Sequence, residues 1–205
     1  MIRSQQRGGL SLLTIDRPDK ANSLTGAMLR DLVAALDRVE QAGAQALILT
    51  GAGKVFSAGA DLDEARAGLA TAPEWEKLSA RMAAMPCLTI AALNGTLAGG
   101  AFGMALSCDI RLAVPEARFF YPVMRLGFLP QPSDPGRLAA LVGPSRARMI
   151  LMGGARIEAA EALAWGLVDR IVAAPDLLPA AEALAVDALA AAPGHVATIK
   201  SMIPG

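Results

Sequence analysis

The chain has 205 residues, a length that fits one ordinary domain and can bury a substantial core. Its 19 basic and 19 acidic side chains cancel, so bulk charge gives no reason to expect a nucleic-acid partner. Hydrophobic residues make up 54% of the chain but aromatic residues only 4%, a composition that suits closely packed helices. The two cysteines lie in apolar segments without metal-ligand spacing, which predicts buried thiols in a reducing compartment and no metal site.

Neither the N-terminus nor the longest uncharged stretch predicts export or membrane insertion. The first ten residues lack the apolar core of a secretory signal, so we expect a cytoplasmic protein. Residues 82–108 carry no charge, but Pro86, Asn94 and several glycines interrupt them. This pattern favours a strand followed by a buried helix over a membrane span.

Apolar periodicity predicts an alternation of strands and helices along most of the chain. Short apolar runs bounded by proline, glycine or charged residues predict strands at residues 10–15, 46–50, 87–93, 110–114, 119–123 and 167–172. Apolar side chains three and four positions apart predict helices at residues 25–41, 75–85, 137–142, 144–152, 158–165 and 177–191. Thr71 and Glu74 fit a capping box before the second of these helices.

A proline-rich loop divides the predicted elements into two parts. Residues 127–136 contain three prolines and two glycines. Before this loop strands and helices alternate, whereas after it the pattern is almost purely helical. We therefore predict an α/β fold, with a core over residues 1–136 and a helical C-terminal part over residues 137–205.

The central stretch is residues 94–109, which hold four glycines and no charge before the last residue. They fit a strand end, a glycine turn and a buried helix whose first N–H groups lack partners and favour negative charge. A second small-residue turn, at residues 58–60, also follows a predicted strand. Together with the turn at residues 99–100 it offers a pair of N–H groups of the kind that an enolate oxyanion requires. The alternative is that these glycines only permit close packing of turns.

Four separated motifs, in the right order and spread over nearly the whole chain, carry a family resemblance. They are R-P-D-K-A-N-S-L at 17–24, L-I-L-T-G-A-G-K-V-F-S-A-G-A-D-L at 47–62, N-G-T-L-A-G-G-A at 94–101 and A-L-A-W-G-L-V-D-R-I-V at 162–172. Together they resemble the crotonase superfamily, the enoyl-CoA hydratases and isomerases. The resemblance implies a spiral of ββα turns, a homotrimer or hexamer, a role in fatty acid metabolism and an acyl-CoA substrate. Coenzyme A would then be part of the substrate, with no tightly bound cofactor.

The resemblance also implies which residues meet the substrate. Ala60 and Gly100 match the two oxyanion donors. Coenzyme A would lie against residues near the first turn, the nucleotide being flanked by residues 20–24 and the adenine met by main chain at 57–58. The predicted coenzyme A contacts are Lys20, Asn22, Ser57, Ala58, Asp61 and Leu62. For Asp61 the favoured interpretation is a cap on the following helix.

The predicted acyl pocket departs from the family pattern. Hydratases of the family carry glutamates at the positions of Gly103 and Val123, and related isomerases and a dehalogenase carry an acid at that of Gln131. None of these three residues can transfer a proton, which argues against efficient hydration. Asp134 is the nearest substitute and Tyr121 the next. Their alternatives are a helix cap, which we favour for Asp134, and simple packing for Tyr121.

Two functional hypotheses remain at this stage. The first is an acyl-CoA enzyme with an intact oxyanion site and a changed proton carrier, for which isomerisation or decarboxylation fits better than hydration. The second is a catalytically silent acyl-CoA binding or assembly protein. Members of the family usually continue for several tens of residues beyond the segment that matches 195–203, and either a short natural variant or a truncation would explain the end at Gly205. The resemblance therefore implies the trimer less strongly than the fold. His195, the only histidine, is expected at the surface or in a cap.

Overall fold

The computed structural model describes residues 1–203 as an α/β fold built on two sheets. The strands are β1 Ile2–Arg7, β2 Leu10–Ile15, β3 Ala46–Gly51, β4 Val55–Ser57, β5 Leu88–Leu93, β6 Thr96–Ala98, β7 Ile110–Ala113, β8 Arg118–Phe120, β9 Arg156–Glu158 and β10 Arg170–Ile171. The helices are α1 Gly26–Gln41, α2 Leu62–Arg66, α3 Glu74–Ala83, α4 Phe102–Leu106, α5 Val123–Leu126, α6 Asp134–Val142, α7 Pro144–Leu151, α8 Ala159–Trp165, α9 Leu177–Ala190 and α10 His195–Met202.

The chain winds so that successive turns add one strand to each sheet. The larger sheet has the order β1-β2-β3-β5-β7-β10 and is parallel except where β1 pairs with β2. The smaller sheet has the order β4-β6-β8-β9 and is parallel except where β8 pairs with β9. Thus β3 and β4, then β5 and β6, then β7 and β8 each contribute in turn. This alternation is the spiral that the motifs predict.

The core lies between the larger sheet and the helices that cover it. All six residues of β3 are buried, which explains its unbroken apolar sequence. The long helix α1 buries one apolar stripe that includes Leu29, Leu32 and Leu36. On the sheet side of α9, Ala181 and Ala185 are fully buried, so small side chains let this helix approach closely. Residues on both sides of the proline-rich loop therefore contribute to one core.

Several elements differ from the sequence prediction, each for a local reason. The strand predicted at 119–123 ends at Phe120, because Pro122 cannot donate to the sheet and α5 begins at Val123. The predicted capping box is wrong, since Pro73 precedes α3 without a side-chain cap and Thr71 donates to the Gly68 carbonyl instead. The strand predicted at 167–172 is shortened to β10. Strand β1 was not predicted because almost all of its residues are exposed and polar.

The two cysteines and the longest apolar segments fit the predictions in part. Cys87 and Cys108 are free and buried, and burial raises their pKa values to about 11 and about 12. Within residues 1–203 no single helix is long and apolar enough to cross a membrane. A pair of helices at 174–190 and 195–202, bent by 106°, meets that length and composition test only when taken together. The uncharged stretch at 82–108 forms strands and short helices, as predicted.

Candidate active site

Two glycine turns meet at one edge of the smaller sheet. Strands β4 and β6 pair in parallel, so the turns that follow them, residues 57–60 and 98–100, lie side by side. We call these the donor turns. Gly59 and Gly99 adopt left-handed backbone angles, with φ of 92° and 57°. A Cβ on Gly59 would stand 2.8 Å from the Ala98 carbonyl oxygen and 3.4 Å from the Gly99 Cα, so the donor turns are in direct contact.

Each donor turn presents a backbone N–H group without a partner. Leu24 N donates to Gly59 O at 2.7 Å, and Asp61 N donates to Leu24 O at 2.9 Å. These two bonds form a parallel β-bridge between Leu24 and Ala60 that does not use the N–H of Ala60. Apart from bonds within helices and strands, no backbone hydrogen bond among the described residues is donated by Ala60 N or Gly100 N. Both residues are partly exposed. The contact between the donor turns thus brings two partly exposed residues, Ala60 and Gly100, into one region, and their role as oxyanion donors stays a prediction.

The first donor turn is held by buried polar side chains. Ser57 Oγ donates to the Asn22 carbonyl at 2.8 Å and accepts from Gly59 N at 3.2 Å. Asn22 Nδ2 donates to the carbonyls of Ala52 and Val55 at 2.8 and 2.6 Å. Asn22 and Ser57 are fully buried, so their side chains position the turn rather than face a ligand. A main-chain contact of this turn with coenzyme A stays a prediction.

Asp61 caps α2, as predicted. Its Oδ1 accepts from Asp63 N at 3.1 Å and from Glu64 N at 3.3 Å. Arg17 Nη1 donates to Asp61 Oδ2 at 2.8 Å and to the Ser23 carbonyl at 3.1 Å. The Arg17 hydrogen bond holds the pKa of the Asp61 carboxyl below its usual value, together with the backbone bonds of the cap. Arg17 thus ties the first donor turn to the segment before α1.

The predicted coenzyme A residues that face solvent surround the first donor turn. Lys20 and Ala58 are exposed, and the Leu62 side chain has a relative exposure of 73%. In contrast to Asn22 and Ser57, these three residues are accessible to a ligand. The structure therefore separates residues that hold the turn from residues that line its outer side.

The second donor turn is packed against an aromatic ring. A Cβ on Gly100 would lie 3.1 Å from Cδ2 and Cε3 of Trp75 and 3.2 Å from its Cε2. The indole of Trp75 is buried and its Nε1 donates to the Leu69 carbonyl at 2.8 Å. The helical spacing of Trp75 in the sequence favours a core position over one near the pocket, and the indole is indeed buried. The contact with Gly100 became visible only with the fold, because 25 positions separate the two residues.

The non-ionisable positions gather around one carboxyl group. Gly103 lies on α4, Val123 begins α5 and Gln131 lies in the following loop, and all three are buried. A Cβ on Gly103 would stand 2.8 Å from Asp134 Oδ1 and 3.2 Å from the Ser79 Cβ. The Asp134 carboxyl therefore occupies the space that a side chain at position 103 would need. We call Gly103, Tyr121, Gln131 and Asp134 the Asp134 cluster.

The capping role favoured for Asp134 is wrong. Ser133 is the residue at the cap position of α6, and its N–H donates to Glu76 Oε2 at 3.1 Å, which fastens the helix start to α3. The Asp134 carboxyl turns inward instead, where Oδ2 accepts from the Tyr121 hydroxyl at 2.9 Å. The hydrogen bond from Tyr121 holds the carboxyl away from the helix N–H groups. This contact could not be predicted from the residues next to Asp134 in the sequence.

The buried environment of Asp134 changes its proton affinity. Its relative exposure is 1%, and Oδ1 has no hydrogen-bond partner among the described residues. Burial raises the pKa of Asp134 from 3.8 to about 7, although the Tyr121 hydroxyl and the Arg137 charge act in the opposite direction. A carboxyl group with such a pKa exists in both protonation states near neutral pH. Acid and base roles are thus both open to it.

Tyr121 combines packing with a polar role. Its ring stacks on Phe102 with 5.3 Å between centroids, as the packing interpretation requires. Its hydroxyl donates to Asp134 and accepts from Gln131 N at 3.3 Å. Burial and the nearby Asp134 charge raise the pKa of Tyr121 far above its usual value, so the phenol stays protonated. Tyr121 is therefore a positioning residue for Asp134.

The remaining candidates lie outside this arrangement. His195 is exposed at the first position of α10, in agreement with the expected surface position. Within residues 1–203 no group of three or more histidine, cysteine, aspartate and glutamate side chains is arranged to hold a metal ion. The candidate residues thus fall into two groups, the main-chain groups of the donor turns and the side chains of the Asp134 cluster.

Comparisons with known proteins agree with the motifs. The family model described as enoyl-CoA hydratase/isomerase matches residues 5–204. A Bacillus subtilis protein, whose name assigns it provisionally to the enoyl-CoA hydratases/isomerases, is 38% identical over 184 residues, covering 86% of this chain and 70% of its own length. The short-chain-enoyl-CoA hydratase of Clostridium acetobutylicum is 34% identical over 206 residues, covering 97% of this chain and 79% of that protein.

Solved structures lead to the same result. The enoyl-CoA hydratase from Bacillus anthracis superposes with a TM-score of 0.90 at 31% identity, over 98% of this chain and 81% of that chain. An enoyl-CoA hydratase from a Polaromonas species superposes with a TM-score of 0.88 at 30% identity, over 98% and 82% of the two chains. The predicted crotonase-like α/β fold is confirmed.

Proposed function

Because the chain belongs to the enoyl-CoA hydratase/isomerase family, we propose that it binds an acyl-CoA thioester and stabilises the enolate with the N–H groups of Ala60 and Gly100. The observation that carries this proposal is the pair of unbonded N–H groups on two donor turns in contact. As charge develops on the thioester oxygen, both donors strengthen their hydrogen bonds to it. Removal of one such donor typically costs about 3 kcal/mol of barrier.

Coenzyme A binds on the exposed side of the first donor turn. Lys20 supplies a cation for its phosphate groups, and Ala58 and Leu62 offer accessible surface beside the thioester. The buried residues Asn22 and Ser57 take part by fixing the main chain, and Asp61 does so by capping α2. Coenzyme A acts as part of the substrate, and the proposal requires no tightly bound cofactor.

The Asp134 carboxyl transfers the proton. In a decarboxylation, the electrons of the broken bond to carbon dioxide enter the enolate, and protonated Asp134 then gives its proton to the α-carbon. In an isomerisation, ionised Asp134 removes an α-proton and returns it to the γ-carbon as the double bond moves. Hydration fits less well, because Gly103 and Val123 provide no carboxylate to activate water.

The donor turns can be tested through the ligand. A CoA thioester and the matched CoA thioether, which lacks the carbonyl oxygen, are compared by calorimetry. We expect the thioester to bind about tenfold more tightly, since only it can accept the two N–H bonds. Equal affinities would rule out a role of these donors in binding, and no binding of either compound would rule out the acyl-CoA proposal.

The proton carrier can be tested by turnover of enoyl-CoA and malonyl-type thioesters. Asp134→Asn keeps an acceptor for Tyr121 but cannot exchange a proton. We expect it to lower kcat about a hundredfold with little change in thioester affinity. Asp187→Asn, at an exposed position of α9, is the matched control and leaves kcat unchanged. Equal kcat values for the two variants would exclude Asp134 as the proton carrier.

A second candidate function is a catalytically silent acyl-CoA binding protein. It is favoured by the near-complete burial of Asp134, whose carboxyl a substrate reaches only if neighbouring side chains move. In that case thioesters bind, but no compound of the panel is turned over by the wild-type protein. Detectable turnover that Asp134→Asn reduces would exclude this candidate.

We further propose that a second copy of the chain covers the apolar surface around α5. Met124, Leu126 and Leu129 have relative exposures of 62%, 54% and 81% and lie within six residues of one another in the chain, and clustered exposed apolar side chains often mark a protein–protein interface. A homotrimer or hexamer would bury them, and light scattering would give the number of copies. The cytoplasmic location and the place in fatty acid metabolism stay predictions.

A further inference from the structure

The indole of Trp75 stands beside the second donor of the oxyanion site. The ring atoms Cδ2, Cε3 and Cε2 all approach the position of a Cβ on Gly100 within 3.1 to 3.2 Å, so the ring face, and not its edge, covers this α-carbon. A thioester whose oxygen accepts from Gly100 N brings its first acyl carbons next to the same residue. The acyl group and the indole therefore compete for neighbouring space.

Buried side chains also fill the interior around α4, the helix that follows Gly100 in the chain. Phe102 and Tyr121 stack on each other, and Gln131 and Asp134 complete the group. Their relative exposures are 0%, 3%, 6% and 1%, and Trp75 itself is 3% exposed. A long acyl chain can enter this region only by displacing a buried side chain. A short acyl group can remain near the donor turns.

A single hydrogen bond fixes the orientation of the indole. Trp75 Nε1 donates to the Leu69 carbonyl, which belongs to the short helical turn Leu69–Thr71 after α2. None of the residues of α2 is buried, and the Glu64 carboxylate attaches this helix to α1 through the N–H of Gly26 at 2.7 Å. The ring cannot turn away from Gly100 without leaving the Leu69 carbonyl.

We propose that Trp75 sets the upper limit of acyl length, and that Leu69 locks the indole in the position that excludes long chains. The inference rests on the proposed binding of acyl-CoA thioesters and adds the substrate class, which is short acyl groups. Trp75 acts here as a specificity-determining residue. Its contribution is steric, and the hydrogen bond to Leu69 is its support.

Affinities for acetyl-CoA, hexanoyl-CoA and decanoyl-CoA, measured by calorimetry, test the inference. Each methylene that enters an apolar pocket normally strengthens binding, so an open pocket would favour decanoyl-CoA. We expect the wild type to bind acetyl-CoA about tenfold more tightly than decanoyl-CoA. Trp75→Ala is expected to tighten decanoyl-CoA binding about tenfold and to change acetyl-CoA binding less than about threefold.

Two further variants separate the steric effect of the Trp75 ring from the effect of its hydrogen bond to Leu69, and both from the general effect of losing a tryptophan. Trp75→Phe keeps an aromatic ring but loses the N–H, so decanoyl-CoA affinity should fall between wild type and Trp75→Ala. Trp165→Ala is the matched control, because Trp165 packs against Arg146 on α7 and is not part of the site. It should leave the ratio of acetyl-CoA to decanoyl-CoA affinity unchanged.

Fluorescence keeps the test valid if Trp75→Ala does not fold. In Trp165→Phe the emission comes from Trp75 alone, since the chain has two tryptophans. Decanoyl-CoA at saturation should change this emission, because it displaces the ring, and acetyl-CoA should leave it almost unchanged.

The outcomes separate this inference from the proposed function. If acetyl-CoA and decanoyl-CoA bind equally well to the wild type, or if Trp75→Ala leaves their ratio unchanged, Trp75 does not limit acyl length and acyl-CoA binding still stands. If Trp75→Phe alone leaves the ratio unchanged, the Leu69 carbonyl does not lock the indole. If no thioester binds to the wild type, the proposed function itself is wrong.

Discussion

The donor turns and the Asp134 cluster are built in opposite ways. The donor turns are shaped by the main chain, through glycine backbone angles and strand pairing. The Asp134 cluster is shaped by side chains, which meet at one buried carboxyl group. An arrangement of main-chain groups tolerates many side-chain substitutions, but it does not tolerate a Cβ at its glycines. An arrangement of side chains is altered as soon as one of its residues is replaced.

The largest expected effect is the loss of stability when a side chain is added to a glycine of a donor turn. Gly59→Ala puts a Cβ 2.8 Å from the Ala98 carbonyl oxygen at a φ of 92°, so strain and overlap add. We expect urea denaturation to show a loss of about 4 kcal/mol in the free energy of unfolding. Gly99→Ala is the matched control, because its φ is also positive but its Cβ would meet no atom nearer than 3.8 Å. It should cost about 1 kcal/mol, and equal losses would show that contact between the turns is not tight.

The second effect concerns the proton on Asp134. Since folding raises the pKa of this group from 3.8 to about 7, the folded state binds its proton more tightly than the unfolded state. The free energy of unfolding therefore includes a contribution that is complete below pH 3.8 and is lost as pH rises towards 7. We expect this loss to reach about 3 kcal/mol.

The pH dependence is measured by urea denaturation between pH 4 and 7, a range set by the two pKa values. Asp134→Asn should remove the downward slope, whereas the exposed Asp187→Asn should keep it. A slope that is the same in wild type and Asp134→Asn would show that the carboxyl keeps its ordinary pKa and that the Asp134 cluster is hydrated.

The third effect tests the shared space of Gly103 and Asp134. Gly103→Ala places a Cβ 2.8 Å from Asp134 Oδ1 and should lower the free energy of unfolding by about 2 kcal/mol. When Asp134→Ala is already present, the same change should cost about 1 kcal/mol less. Denaturation of the two single variants and the double variant gives this coupling. Strictly additive losses would mean that the two residues do not share space.

The smallest effect concerns the cap that fastens the first donor turn. Asp61→Ala removes the α2 cap and the Arg17 contact and should cost about 1 kcal/mol at neutral pH. Because the folded-state pKa of Asp61 is lowered, this contribution is present above its usual pKa and is lost as pH falls below it. Asp63→Ala is the control, since its side chain is 92% exposed and should cost almost nothing. Equal losses would exclude a capping contribution.

The positions of the donor turns could be predicted, because glycines and small residues mark turns locally. The short strands β4 and β6 that lead into these turns were not predicted, since three residues carry too little periodicity. Longer apolar patterns made α1, β3 and β5 predictable. The Asp61 cap could also be predicted, because a cap depends on the next three residues.

The Asp134 cluster could not be predicted to the same degree, because its contacts join distant segments. Ser133 and Pro135 flank Asp134 in a pattern typical of helix starts, which favoured a cap. Tyr121, 13 positions away, decides the actual orientation of the carboxyl. Likewise, the contact of Trp75 with Gly100 depends on how α3 crosses the second donor turn. Burial and side-chain direction follow from the fold and not from neighbouring residues.

The pairing of β4 with β6 also determines when the site can exist. The two donors belong to different turns of the spiral, with α2, α3 and β5 between them along the chain. Neither donor turn can be completed alone, because the contact of Gly59 with the Ala98 carbonyl needs both strands in place. The contact between the donor turns is thus long-range, and its formation closes a large loop at a cost in chain entropy. During synthesis, no nascent chain that stops short of β6 can form this contact.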